Sequence, residues 1–185
     1  MTFDFDDVYD GHDALDRLHQ LRELRPDFKC TLFAIPARCT FDWIDSVPDW
    51  VELAAHGWTH HSNYECAHWT REQMEWTLDQ GIVRYMDTRG FKAPGWQISD
   101  ACYQVLVDRG WWVADQHLED WRRPAELPVY LYEDGDSWHG HIDNVCGNGI
   151  EETWDRVVAL VKRATEFRWA GEAASVGTHS DHPRP

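Results

Sequence analysis

Basic residues are scarce: 17 Lys and Arg stand against 33 Asp and Glu, for a formal net charge of −16. Such a chain is repelled by phosphate backbones and by anionic lipid, which excludes nucleic acid and membrane surfaces as partners. The acid is spread along the sequence rather than gathered in a tail, so most of it reads as solvated surface. Paired cysteines are missing too. Cys30, Cys39, Cys66, Cys102 and Cys146 are odd in number and form no CxxC, which argues against a disulfide framework and against a thiolate zinc site. Cys30 and Cys102 fall in apolar runs and read as small core residues. No run is long and apolar enough to span a bilayer, and a core strand begins at Thr2 in place of a leader, so a cytoplasmic location is expected. Internal repeats and linkers are absent as well. The reading is one domain over residues 1–172 with a polar tail over 173–185.

What is present is an ordinary globular mixture, 43% hydrophobic and 27% charged, with an unusual 12 Trp. Indoles serve as core filling or as flat platforms for sugar rings, and both uses are open here. Residues 2–6 (TFDFD) alternate, which makes a strand with Phe3 and Phe5 on one face and Asp4 and Asp6 on the other. Residues 13–25 place Leu15, Leu18, Leu21 and Leu24 at helical spacing before Pro26. Strands are expected at 28–35 and 50–55, then a helix over 70–86 opened by a Thr-x-x-Gln capping box. A short strand at 91–93, a helix at 99–109 and a strand at 111–115 follow. Two strands, 129–132 and 137–141, flank an Asp134-Gly135 turn, an amphipathic helix covers 150–165, and residues 167–170 close the pattern. This alternation implies an α/β fold with a mainly parallel sheet, open or closed into a barrel. In such folds functional residues gather at the C-terminal ends of strands, where Asp6-Asp7, His56, Pro94, Asp115 and His141 all fall.

His56-Gly-Trp-Thr-His60 sets two imidazoles four residues apart. On a helical turn both rings would point the same way and could share a cation. A carboxylate from the Asp6-Asp7 pair would complete a three-ligand site with a position open for water, and its neighbour could take the proton from that water. Asp4 reads as an ordinary turn or cap acid.

These segments resemble the NodB-type polysaccharide deacetylases of carbohydrate esterase family 4. The family's strand ending in Thr-Phe-Asp-Asp is matched by Asp6-Asp7 after TFDF, and its His-Ser/Thr-x-x-His by His56 and His60. The resemblance spans residues 1–172 and implies a distorted (β/α) barrel, Asp6 as the base, and Asp7, His56 and His60 as ligands of one divalent metal. Zinc is the default, with cobalt, nickel or iron also fitting. The family's Arg-Pro-Pro-Tyr becomes Lys92-Ala93-Pro94-Gly95, so Lys92 would steady the base as a point charge and the Gly95 N–H would donate to the oxyanion. Trp96 would fill the wall left by the missing tyrosine. The fourth motif is altered: Asp115 is the candidate for orienting a histidine, and Asp120-Trp121 supplies an acidic and aromatic pair at a different spacing. For the histidine that protonates the leaving group, His141 is preferred over its neighbour on the same strand face, His139, and over His179 near the C-terminus.

The expected activity is metal-dependent hydrolysis of a linear amide or ester, removing an N-acetyl group from an amino sugar or related small molecule. The expected partner is a small-molecule or oligosaccharide substrate, and the short chain favours a small one. Other readings are a binding domain without catalysis, an amidohydrolase of a small ureido compound, and a lyase or isomerase using Asp6 and His141 as an acid–base pair.

Overall fold

A computed structural model describes residues 1–11, 14–116, 121–132, 136–143 and 147–176. Asp120, the Asp134-Gly135 turn, Cys146 and His179 lie outside the described residues. Among the described residues there are seven strands: β1 (Thr2–Val8), β2 (Cys30–Ala34), β3 (Val51–His56), β4 (Gly90–Lys92), β5 (Trp112–Asp115), β6 (Val129–Leu131) and β7 (Ser137–His141). They form one sheet in the order β6-β5-β4-β3-β2-β1-β7. Every neighbouring pair is parallel.

β6 and β7 flank the expected turn, yet they are not a hairpin. They sit at opposite ends of the strand order and each pairs only inward, with β5 and β1. The curled sheet still nearly closes, because the Ser137 hydroxyl donates to the Leu131 carbonyl at 3.5 Å and also to that of Tyr132. The result is a distorted (β/α) barrel.

The alternation in β1 decides its two faces. Phe3 and Phe5 point outward into a layer with Leu18 and Leu21 of α1 (Ala14–Leu24) and Val157 and Val161 of α6 (Ile150–Arg163), all fully buried. Each such side chain contributes roughly 1.5–3 kcal/mol through burial. Leu24, the last of the expected leucine series, is 38% exposed at the helix end. A second outer layer joins α3 (Arg71–Leu78) and α5 (Asp100–Asp108) to β4 and β5 through Met74, Leu78, Cys102, Leu106, Phe91 and Val113.

The capping box at Thr70 and Gln73 is formed, with both reciprocal bonds in place. The helix expected over 70–86 is broken, however. Gln80 is extended, and the chain restarts as α4 (Gly81–Tyr85). A helix not expected from the sequence, α2 (Phe41–Ser46), is capped by Thr40, whose hydroxyl accepts from the Trp43 N–H.

The barrel interior is divided. On the side that α7 (Ala170–Val176) covers, Phe33, Ala54, Trp112 and Ala114 pack with Ala170 and Ala174 in an apolar cluster. The first α7 amides are satisfied there: Ala170 N–H donates to Thr31 Oγ1 at 2.8 Å and Gly171 N–H to Glu52 Oε2 at 3.0 Å. The expected closing strand at 167–170 is reduced to a single bridge between Thr2 and Arg168. Toward the other end the interior turns polar, with Asp4, Asp6, Lys92 and His56 all buried. No helix among the described residues is long and apolar enough to cross a membrane.

Candidate metal centre

Strand register brings the polar end together. β1 and β7 are parallel neighbours in which Asp4 pairs with His139 and Asp6 with His141, so four titratable side chains leave the same inward face. β4 then supplies Lys92 beside His56 of β3. Asp7 would point outward if β1 kept its pleat. Instead the strand register shifts between Phe5 and Val8, and Asp7 takes φ +65°. That left-handed residue re-aims the carboxylate, so Asp6 and Asp7 line the same cavity of about 400 Å³.

Asp7 Oδ1 lies 3.5 Å from His56 Nε2 and 3.1 Å from His60 Nε2. The same Oδ1 is buried and accepts no hydrogen bond. A buried carboxylate oxygen with no donor, facing two imidazole nitrogens, is what a divalent cation would satisfy, so the donor set fits a metal. His56 Nδ1 lies 3.0 Å from the Lys92 carbonyl oxygen and can only donate to it. This fixes the tautomer and leaves the Nε2 lone pair facing Asp7. A second group, Asp6, His139 and His141, also brings one ligand atom from each residue to within 4.8 Å of the others.

The two histidines do not share a helical turn. His56 ends β3, and His60 lies in an irregular loop at φ +52°, with the two ring centroids 4.8 Å apart. The loop is held by Glu65, whose buried carboxylate accepts from the N–H groups of Trp58, Thr59 and His60 and from the Thr59 hydroxyl, at 2.6 to 3.1 Å. Burial pushes the Glu65 carboxyl up, but the bonds from Thr59, Trp58 and His60 outweigh it and hold it below the ordinary value.

Lys92 is 1% exposed, with its ammonium 2.7 Å from Asp6 Oδ1 and 3.4 Å from Asp4 Oδ1. The rings of Phe33 and Trp96 flank it, the latter 4.0 Å away. Burial acts to raise the Asp6 pKa, but Lys92 and then His56, His139 and His141 overcome it, so Asp6 is held well below the carboxylate range. Asp7 is lowered as well, its burial outweighed by His56 and His60. His141 is lowered chiefly by burial, against the pull of Asp6.

Gly95 and Trp96 both line the cavity. Gly95 sits at φ +58°, and a Cβ there would lie 2.6 Å from the Asn63 carbonyl oxygen. Trp96 stacks on Tyr132 at 5.1 Å and meets His139 edge-on, forming an aromatic wall.

Two candidates stand apart. Asp115 is buried away from the cavity lining, and its carboxylate accepts from the Tyr103 hydroxyl at 2.9 Å and faces Arg123 at 3.3 Å. No histidine is among these partners. Trp121 is 87% exposed and does not line the cavity. Three residues escaped the sequence reading. Asp4 is no turn acid but is fully buried beside Lys92 and His139, and its position on the Asp6 face of β1 was the available signal. Glu65 and Tyr130 carried no local signal.

No family model matches the chain, and no curated protein does either. Solved structures do. A family 4 acetyl xylan esterase from Clostridium thermocellum, in complex with a cobalt ion, superposes with a TM-score of 0.64 at 16% identity, covering 95% of this chain and 90% of that one. The family 4 domain of a multidomain xylanase from the hindgut metagenome of Trinervitermes trinervoides gives 0.61 at 18% identity, covering 95% and 89%. A family 4 pseudoenzyme from Bacillus anthracis gives 0.64 at 16% identity, covering 94% of this chain and 65% of that one. The chain has the NodB-type fold of the family 4 carbohydrate esterases.

Proposed function

We propose that the chain is a metal-dependent hydrolase of a linear amide or ester bond that removes an acetyl group from an amino sugar or a related small molecule. The observation that carries this reading is the orphaned Asp7 Oδ1 facing His56 Nε2 and His60 Nε2, with an ionised carboxylate, Asp6, next to it. Asp7, His56 and His60 would hold a divalent cation, zinc by default, which supplies Lewis-acid polarisation of a carbonyl and a more acidic water. Asp6 accepts the proton of the attacking water through Oδ2, because Oδ1 is occupied by Lys92. Gly95 lines the cavity, and its N–H would donate to the developing oxyanion, a contribution of roughly 10²–10³-fold in kcat where one donor has been removed in other hydrolases. An imidazole of β7 returns a proton to the leaving group. Trp96 on Tyr132 gives a flat apolar wall for a ring or acetyl methyl, and the cavity of about 400 Å³ favours a monomer-sized substrate.

The test is a screen of acetylated sugars, small amides and ureides with the metal-loaded wild type and Asp6→Asn. Hydrolysis by the wild type, lost in Asp6→Asn at unchanged metal content, is the expected result. No turnover of any compound would favour a binding domain, and a product without solvent oxygen would favour a lyase or isomerase.

A further inference from the structure

Behind the proposed base lies a second buried carboxylate to which that reading gives no task. Asp4 is 0% exposed, and its two oxygens are used differently. Oδ2 accepts from the Tyr130 hydroxyl at 2.7 Å, while Oδ1 is 2.7 Å from His139 Nδ1 and 3.4 Å from Lys92 Nζ. Burial and the adjacent carboxylate raise the Tyr130 pKa well above its ordinary value, so the phenol keeps the proton it donates. Lys92 Nζ is also 3.3 Å from His139 Nδ1, but an ammonium has only protons to offer. The shorter contact, to a carboxylate, decides the direction: Nδ1 donates to Asp4, and Nε2 is left facing the cavity, 3.8 Å from Asp6 Oδ2.

His141 lacks such an anchor. Its Nδ1 is buried with no hydrogen-bond partner, and its Nε2 faces the proposed metal ligand Asp7 at 3.9 Å. Among the described residues nothing fixes its tautomer, whereas His139 is fixed on one side and open on the other.

Resting on the hydrolase reading, we propose that Asp4, anchored by Tyr130, is a positioning residue that makes His139 rather than His141 the proton donor to the leaving group. As the scissile bond breaks, imidazolium Nε2–H of His139 passes its proton to the departing nitrogen or oxygen. The electron pair of the broken bond takes that proton, and Nδ1–H stays on Asp4. The proton that Asp6 accepted from water then returns to Nε2 across the 3.8 Å gap, so both groups regain their starting states. Lys92, His141, Trp96 and Tyr132 are the remaining groups around the ring.

The proposal predicts a dependence on the leaving group. With N-acetylglucosamine, whose amine must be protonated, His139→Gln lowers kcat by about 10²–10⁴-fold. With 4-nitrophenyl acetate, whose phenolate leaves unprotonated, the same variant loses less than about tenfold. Asp4→Asn and the milder Tyr130→Phe follow the same pattern, and Asp4→Asn adds little to His139→Gln because the pair acts as a unit. Metal content is unchanged in His139→Gln. Two-bond proton–nitrogen spectra of histidine-labelled wild type, assigned by His139→Gln, show neutral His139 as the Nδ1–H tautomer. An Nε2–H tautomer, equal losses on both substrates, or the leaving-group pattern in His141→Gln instead overturns the assignment. Loss of one of two bound metal equivalents in His139→Gln overturns it too, because His139 would then be a ligand with Asp6 and His141. If the wild type turns over neither probe, the hydrolase reading and the proton-donor role fall together, and the spectrum still decides the Asp4–His139 pairing.

Discussion

The Lys92 carbonyl oxygen accepts from two groups at once, the Gly57 N–H at 3.1 Å and His56 Nδ1 at 3.0 Å. The main chain of one residue thus fixes the tautomer of a proposed metal ligand, while its side chain, on the barrel interior, holds the proposed base. β4 is short, but it sets two parts of the site together.

Removing the Lys92 charge takes the ammonium away from two buried carboxylates, Asp4 and Asp6. Lys92→Met is expected to lose about 3–5 kcal/mol of stability in chemical denaturation. Lys92→Arg keeps the charge but must fit a larger planar group between Phe33 and Trp96, so it is expected to lose less stability than Lys92→Met. Equal stability of Lys92→Met and wild type would show that the Lys92 charge does not stabilise the buried carboxylates around it.

Glu65 holds the His60 loop by four bonds to one carboxylate. In Glu65→Ala the Trp58, Thr59 and His60 amides lose their acceptor, at a cost on the order of 1–3 kcal/mol for each donor left without water. The expected readouts are a lower denaturation midpoint and a metal affinity weakened by about 10–100-fold, because the loop no longer aims His60. An unchanged metal affinity would separate the loop from the site.

Much of this was legible in the sequence. The period-2 pattern of residues 2–6 named the two faces of β1, the leucine spacing gave α1, and Thr70 with Gln73 marked the start of α3. The proposed ligand residues come from two segments, Asp7 near the end of β1 and His56 and His60 at and after the end of β3, and strand-end placement is what singled them out. What was not legible depends on register and on distance. Asp4 reads as an ordinary turn or cap acid until β7 is laid in parallel beside β1 and places His139 opposite it. Asp115 looks like a site residue by its strand-end position, yet its carboxylate meets Tyr103 and Arg123. β6 and β7 read as two strands around a turn signal, while parallel pairing with β5 and β1 sends them to opposite ends of the strand order. The i, i+4 histidine spacing suggested a shared helical turn, but the rings meet at 4.8 Å across a loop shaped by Gly57 at φ +60° and by Glu65.

Gly95 has no room for a side chain. Gly95→Ala combines a left-handed backbone with a Cβ 2.6 Å from the Asn63 carbonyl, so it is expected to cost about 1–3 kcal/mol and to shift the turn. Activity on an acetylated substrate should fall at least about tenfold while bound metal stays constant, because the Gly95 N–H is displaced and the ligands are not. Full activity in Gly95→Ala would remove this N–H from the mechanism.

The central claim is the metal held by Asp7, His56 and His60, and elemental analysis with titration of zinc or cobalt tests it most directly. The wild type is expected to bind about one equivalent, following the three-ligand stoichiometry of such sites, and each of Asp7→Ala, His56→Ala and His60→Ala to lose most of it. Full loading in all three folded variants would contradict it.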